Sequence, residues 1–210
     1  MTGAREEVLT RIRGALGDAP VSPAVPRAYR REGEFAAGSP ELVEQLVDRL
    51  EDYRAVVVRT RADDASIGTA IAEALSQRGL NEVITPPGLP PVWTAQGLDA
   101  RRDTGAATPQ ELDTVAAVVT GSAVAVSETG TIVLDGSPVC GRRAITLVPD
   151  THVCVVATSD IVQTVPEALQ RLDPAHPLTL ISGPSATSDI ELSRVEGVHG
   201  PRTLIVVLAG

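Results

Sequence analysis

Between Ser182 and Pro201 the chain gathers Ser182, Gly183, Ser185, Thr187, Asp189, Glu191 and His199 in a stretch punctuated by glycine and proline. Small residues of this kind let a ligand approach the backbone closely. Ser182, Gly183, Ser185, Thr187 and Asp189 are therefore candidate ligand-binding residues, and His199, whose ring titrates near neutrality, is a candidate proton-transfer group. A second centre is Glu128, which stands with Thr129 and Gly130 in the tetrapeptide S-E-T-G between two apolar runs. A half-buried carboxylate there would have a raised pKa and serve as nucleophile or proton carrier, with Thr129 and Gly130 beside it for ligand contact. The plainer reading is a glutamate accepting backbone hydrogen bonds in a tight turn. Arg142 and Arg143 follow Gly141, and a guanidinium in that loop suits a bidentate clamp on a carboxylate or phosphate, unless both are solvated.

Other residues point to less. Asp189, Glu191 and His199 lack the tight pair spacing of zinc motifs, so no metal site is expected. His152 heads an apolar strand and His176 lies between Ala175 and Pro177, so both read as structural. Cys154 sits in the apolar run HVCVVA and reads as a small core residue. The chain contains neither GxxxxGK[ST] nor GxGxxG, so nucleotide phosphates and NAD have no direct case.

The elements that must position these residues alternate between helix and strand. Val8, Leu9, Ile12 and Leu16 predict an amphipathic helix over Ala4 to Leu16, followed by a proline-rich connector to about residue 38. That helix either packs on its own domain or reaches a partner. Ser39-Pro40-Glu41 opens a helix with a stripe at Leu42, Leu46, Val47 and Leu50, and a strand follows at Ala55 to Arg59. A second pair comprises a helix over Asp64 to Arg78 and a strand at Glu82 to Thr85. Thr108 and Glu111 form a capping box. Strands are predicted near Val118, over Ala123 to Val126 and Thr131 to Leu134, then at Ala144 to Val148, His152 to Ala157, Leu178 to Ile181 and Thr203 to Leu208, with a helix at Val165 to Leu172. Ser188 and Glu191 match another capping box, predicting a short helix from about Asp189. Its amides, with those around Gly183, are expected at the carboxyl ends of the strands, where open α/β sheets keep their ligands. Such alternation predicts a mainly parallel sheet between helical layers.

Composition narrows the function classes. The 210 residues are 43% hydrophobic and 21% charged, which suits one sizeable domain at 39–210 plus an extension over 1–38. A net charge of −9 with scattered arginines disfavours nucleic acid. Aromatics make up only 2%, too few for base-stacking platforms. No apolar run is long enough for a membrane span, and the N-terminus lacks a signal-peptide core, so a cytoplasmic protein is expected. The two cysteines, without a CxxC pair, exclude a self-contained four-thiolate cluster.

S-G-P-S-A-T-S-D-I-E-L from Ser182 to Leu192, G-V-H-G-P from Gly197 to Pro201, and S-E-T-G-T-I-V-L from Ser127 to Leu134 together resemble the lactate utilization protein C family, whose members share the LUD domain. The resemblance runs from about Val118 to the C-terminus and more loosely upstream. It implies a three-layer α/β fold of the NagB/RpiA/CoA-transferase type and membership of a three-protein system for oxidation of L-lactate to pyruvate. It further implies that this chain carries no cofactor, that iron–sulfur clusters belong to partner subunits, and that a small carboxylate is bound here. S-E-T-G is also similar to the S-E-N-G motif of class I CoA transferases, with Thr129 in place of asparagine. The alternative is therefore a stand-alone acyl-transfer enzyme with Glu128 as nucleophile. Homo-oligomers remain open.

Overall fold

The computed structural model describes residues 3–17, 24–187, 195–196 and 200–210, with the backbone alone at 186–187 and 195–196. The chain divides into two compact units, residues 1–30 and residues 31–210. The first contains helix α1 (Ala4–Leu16), with Glu6 and Glu7 in its first turn and Arg13 in its last, signs that match the helix dipole. Arg11 Nη2 donates to Glu7 Oε1 at 2.6 Å, one turn away.

The second unit begins its regular structure with α2 (Pro40–Asp52), where Pro40 occupies the first turn and Leu42, Leu46, Val47 and Leu50 form the buried stripe. Strand β1 (Val56–Thr60) leads to α3 (Asp64–Ser76), capped by the Asp63 carboxylate accepting from Ser66 N at 2.9 Å. Next come β2 (Glu82–Thr85), a 3-10 turn at Pro91–Thr94, β3 (Asp99–Arg102), and α4 (Pro109–Asp113) with its Thr108–Glu111 capping box. Strands β4 (Ala117–Thr120), β5 (Val124–Val126) and β6 (Thr131–Leu134) precede α5 (Arg143–Leu147) and β7 (Thr151–Ala157). The chain ends with β8 (Ile161–Val162), α6 (Val165–Gln170), β9 (Thr179–Ile181), β10 (Ala186–Thr187), β11 (Val195–Glu196) and β12 (Thr203–Ala209).

Six strands form one sheet in the order β1-β12-β7-β4-β2-β3, with every neighbouring pair parallel. Side chains alternate across it. Leu204, Val206 and Leu208 of β12 join Cys154 and Val156 against α2, while Ile205, Val207 and Ala209 join Val153 and Val155 against α3. Burial on both faces explains the unbroken apolar run of β12. The architecture is the α/β fold that the sequence predicts, a mainly parallel central sheet flanked by helices.

Several features depart from expectation. A second sheet, β8-β5-β6-β9, is mixed: β5 and β9 each run antiparallel to β6, while β8 runs parallel to β5. Its Ala125, Ile132 and Ile161 pack into the same core as α2. Residues 144–148, expected as a strand, lie largely in α5: Arg142 is its N-cap, the preceding Gly141 turns at φ +75°, and Ile145 is buried. A short, mostly apolar run such as Ala144 to Val148 fits either state, and here packing decides. Strand β3 went unpredicted because all four of its residues are exposed, an edge strand without apolar alternation. Residues 31–38, expected in the connector, are tied to the second unit, with Gly38 N donating to Ile161 O at 2.9 Å.

Candidate functional site

The S-E-T-G segment forms the turn between β5 and β6. Gly130 takes a left-handed φ of +61°, and a Cβ there would stand 2.8 Å from Arg49 Cβ, so glycine is required twice over. Glu128 N donates to Gln163 O at 3.2 Å, and Arg49 Nε donates to Glu128 O at 3.4 Å. The half-buried Glu128 carboxylate accepts from Gln163 Nε2 at 3.2 Å. Gln163 is buried, and its Oε1 accepts from Glu34 N at 2.6 Å and Phe35 N at 3.1 Å. One glutamine thus links Glu128 to the chain segment ahead of α2.

From that turn a chain of hydroxyls runs to β9: Thr129 Oγ1 and Thr131 Oγ1 share a hydrogen bond at 2.8 Å, and Thr131 Oγ1 shares another with Ser182 Oγ at 2.8 Å. Register explains the second contact, since Ile132 pairs with Ile181 across antiparallel strands and Thr131 therefore faces Ser182. Gly183 follows at φ +87°, where a Cβ would stand 2.6 Å from Tyr53 Cβ at the end of α2. Ser185 N donates to Pro201 O at 2.8 Å, which joins the loop leaving β9 to the segment entering β12.

These residues border a cavity of about 250 Å³, lined by Ser182, Gly183, Pro184, Ser185, Gly200 and Pro201 on one side. Arg143, Thr146 and Leu147 of α5 contribute another wall, and His152 and Leu204 the sheet side. His152 and Leu204 are paired second residues of β7 and β12, so the cavity lies at the amino ends of these strands. The expected position at carboxyl ends is corrected, because β9 belongs to the second, mixed sheet and delivers its loop to the opposite edge of the parallel one.

His152 is almost fully enclosed, and its Nε2 lies 2.8 Å from Thr120 Oγ1. Thr120 Oγ1 donates to Cys154 Sγ at 3.8 Å, and Cys154 Sγ donates to Gly121 O at 3.6 Å. Burial lowers the His152 pKa to about 4, so the ring is neutral near pH 7. Burial likewise raises the thiols of Cys140 to about 11 and Cys154 to about 12, which keeps both protonated and unreactive.

The structure therefore brings Ser182, Gly183 and Ser185 to one cavity and connects Thr129 to it through Thr131. Glu128 and Gly130 sit on the adjoining turn, outside the cavity lining. Arg142 turns away: its Nε and Nη2 donate to the two oxygens of Asp103 at 2.7 and 3.0 Å, and Nη2 also reaches Ala107 O at 3.2 Å. The Arg142 guanidinium holds the Asp103 carboxyl below its usual range. The neighbouring Arg143 is exposed and lines the cavity, and among the described residues it has no ion-pair partner. Thr187 lies in β10 with its side chain undescribed, and Asp189, Glu191 and His199 lie outside the described residues, as does the helix expected from Asp189. Among the described residues no group of three or more His, Cys, Asp or Glu side chains could hold a metal ion. His152 is the lining residue that sequence reasoning set aside as structural. The signal was present as a histidine inside an apolar strand, but its partner Thr120 is 32 residues away and emerges only from strand order.

Comparison with known proteins bears on the whole arrangement. The LUD domain model matches residues 43–209. The lactate utilization protein C of Deinococcus radiodurans is 48% identical over 174 residues, covering 81% of this chain and 80% of that protein. The lactate utilization protein C of Macrococcus caseolyticus is 28% identical over 204 residues, covering 85% of this chain and 84% of that protein. The crystal structure of a DUF162 family protein from Deinococcus radiodurans superposes with a TM-score of 0.70 at 42% identity, covering 81% of this chain and 97% of that one. With its parallel core and most of its length matched, the chain belongs to the LUD domain family.

Proposed function

We propose that this chain is a component of a lactate utilization system, contributing to the oxidation of L-lactate to pyruvate by binding a small carboxylate in the cavity between β9, α5 and the sheet. The cavity carries this reading. At about 250 Å³ it lies near the lower end of the range for small-molecule pockets. That suits a small organic acid. Arg143 supplies the cation, Ser182, Ser185 and Thr146 supply hydroxyls, and Leu147, Leu180, Ile181 and Leu204 supply apolar wall, the mixture expected of a small-ligand site. Relatives that bear the name lactate utilization protein C support the pathway.

The chain has two cysteines, too few for a four-thiolate cluster, so iron–sulfur clusters and electron transfer fall to partner subunits. Among the described residues no helix is long and apolar enough to cross a membrane, and we place the assembly in the cytoplasm. The acyl-transfer alternative, with Glu128 as nucleophile, draws less support, because the Glu128 carboxylate is engaged by Gln163 outside the cavity lining.

Recovering the tagged chain from lactate-grown cells tests the reading. Iron–sulfur proteins co-eluting at fixed stoichiometry are expected, and titration calorimetry should show the purified chain binding L-lactate or pyruvate. A chain that emerges alone and binds neither would sink the reading, and a covalent acyl adduct at Glu128 would replace it.

A further inference from the structure

We propose that His152 is the specificity residue of this cavity, its Nδ1 accepting a hydrogen bond from the hydroxyl of a bound hydroxy carboxylate whose carboxylate group is held by Arg143. This inference rests on the reading that the cavity takes a small carboxylate. It goes further by assigning which nitrogen meets the ligand and what functional group that nitrogen selects.

Cys154 spends its thiol proton on Gly121 O, and its sulfur accepts the hydroxyl proton of Thr120. Thr120 has a single hydroxyl proton. We infer that this proton goes to the sulfur, which makes the Thr120 oxygen the acceptor toward His152, whose Nε2 stands 2.8 Å away. Nε2 carries the ring proton, and a neutral imidazole protonated on Nε2 leaves Nδ1 as a bare lone pair. The lowered pKa of this enclosed ring, about 4, agrees with the neutral form.

Among the described residues Nδ1 has no hydrogen-bond partner, yet the single fully enclosed side-chain atom left unpartnered there is Ser39 Oγ. The ring lines the cavity, and Nδ1 is the nitrogen left for a ligand. A hydroxyl group satisfies that lone pair. An oxo group presents another lone pair and repels it, and a methylene leaves it bare, at the cost of an unmade hydrogen bond in an enclosed site. Leu204, paired with His152 in register, adjoins it with apolar surface, and the exposed Arg143 supplies the positive charge.

The test is titration of the full chain with L-lactate, propionate and pyruvate. L-Lactate should bind about five- to tenfold more tightly than the other two, the worth of one hydrogen bond. His152→Phe, which keeps a ring but removes the acceptor, should bring the three affinities together. Nitrogen-15 spectra of the wild-type histidine ring need no variant: a bare Nδ1 should be seen, with a signal that moves on addition of L-lactate and stays put with propionate. Equal wild-type affinities for L-lactate and propionate, or a proton found on Nδ1, would overturn the role of His152 and leave the cavity reading standing. If none of the three acids binds, the cavity reading itself fails, and this inference with it.

Discussion

A neutral histidine inside a parallel sheet leaves a mark on stability as well as on recognition. The unfolded chain takes up a proton at this position below the ordinary value of 6.5, whereas the folded chain resists it down to about 4. The contribution of His152 is thus complete above pH 6.5 and declines as pH falls toward 4, by up to roughly 3 kcal/mol. Denaturant unfolding of wild type and His152→Phe between pH 7.5 and 4.5 should show the steeper loss in wild type; matching slopes would mean that the ring is charged or accessible. Asp103 acts in a lower window. Its carboxyl titrates below the ordinary 3.8, so its contribution holds above that value and is lost as pH drops beneath it. Removing its partner leaves an enclosed carboxylate, with 4% of the side chain exposed, held by the single hydrogen bond from Gly105 N at 3.2 Å. Arg142→Met should therefore cost about 1.5–3 kcal/mol in unfolding experiments. If Arg143 is the cation that meets the ligand, the same variant leaves carboxylate affinity intact, and Arg143→Ala removes it. A lost affinity in Arg142→Met would return the clamp to the residue that the sequence favoured.

Elements carry these residues through backbone conformations that the sequence announces only in part. Gly183 and Gly79 both adopt left-handed φ, at +87° and +68°, but a Cβ on Gly183 would meet Tyr53 Cβ at 2.6 Å whereas one on Gly79 meets nothing within 4 Å. Gly79→Ala should cost about 1–2 kcal/mol, the backbone penalty alone. Gly183→Ala should cost measurably more, because Tyr53 must move; equal costs would show that the loop after β9 does not lean on α2. The same contrast marks what a sequence discloses. Thr108 with Glu111, Pro40, and the apolar runs of β7 and β12 are local signals, and each element stands where they predict. Residues 144–148 gave a signal too short to separate strand from helix, and β3 gave none. The amino-end position of the cavity depends on β9 joining a sheet of its own, which is a property of pairing between distant strands. Ser182, Gly183 and Ser185 were legible as polar and small residues between apolar strands. His152 and Arg143 became cavity residues only when β7, β12 and α5 were brought to one edge.

At the scale of the whole molecule, a chain of net charge −9 must bind an anion against its own field. At about 0.1 M salt that field is screened beyond roughly 10 Å, so attraction must come from a cation at the cavity itself. Arg143 is placed to supply it, while Arg142 one residue earlier is neutralised by Asp103. A ligand held between the parallel sheet, β9 and α5 touches both sheets of the second unit and should stabilise that unit as a whole. Binding to the folded state alone adds about 2.7 kcal/mol at a ligand concentration one hundred times Kd. For a unit of this size each kcal/mol raises Tm by roughly 2–4 °C, so saturating L-lactate should lift the midpoint by about 5–10 °C. Arg143→Ala should melt at an unshifted temperature with or without the ligand, while a large acyl-CoA should leave the wild-type midpoint unmoved. A wild-type transition indifferent to L-lactate but raised by an acyl-CoA would reverse the assignment, moving the chemistry from the cavity at the amino ends of β7 and β12 to the turn that holds Glu128.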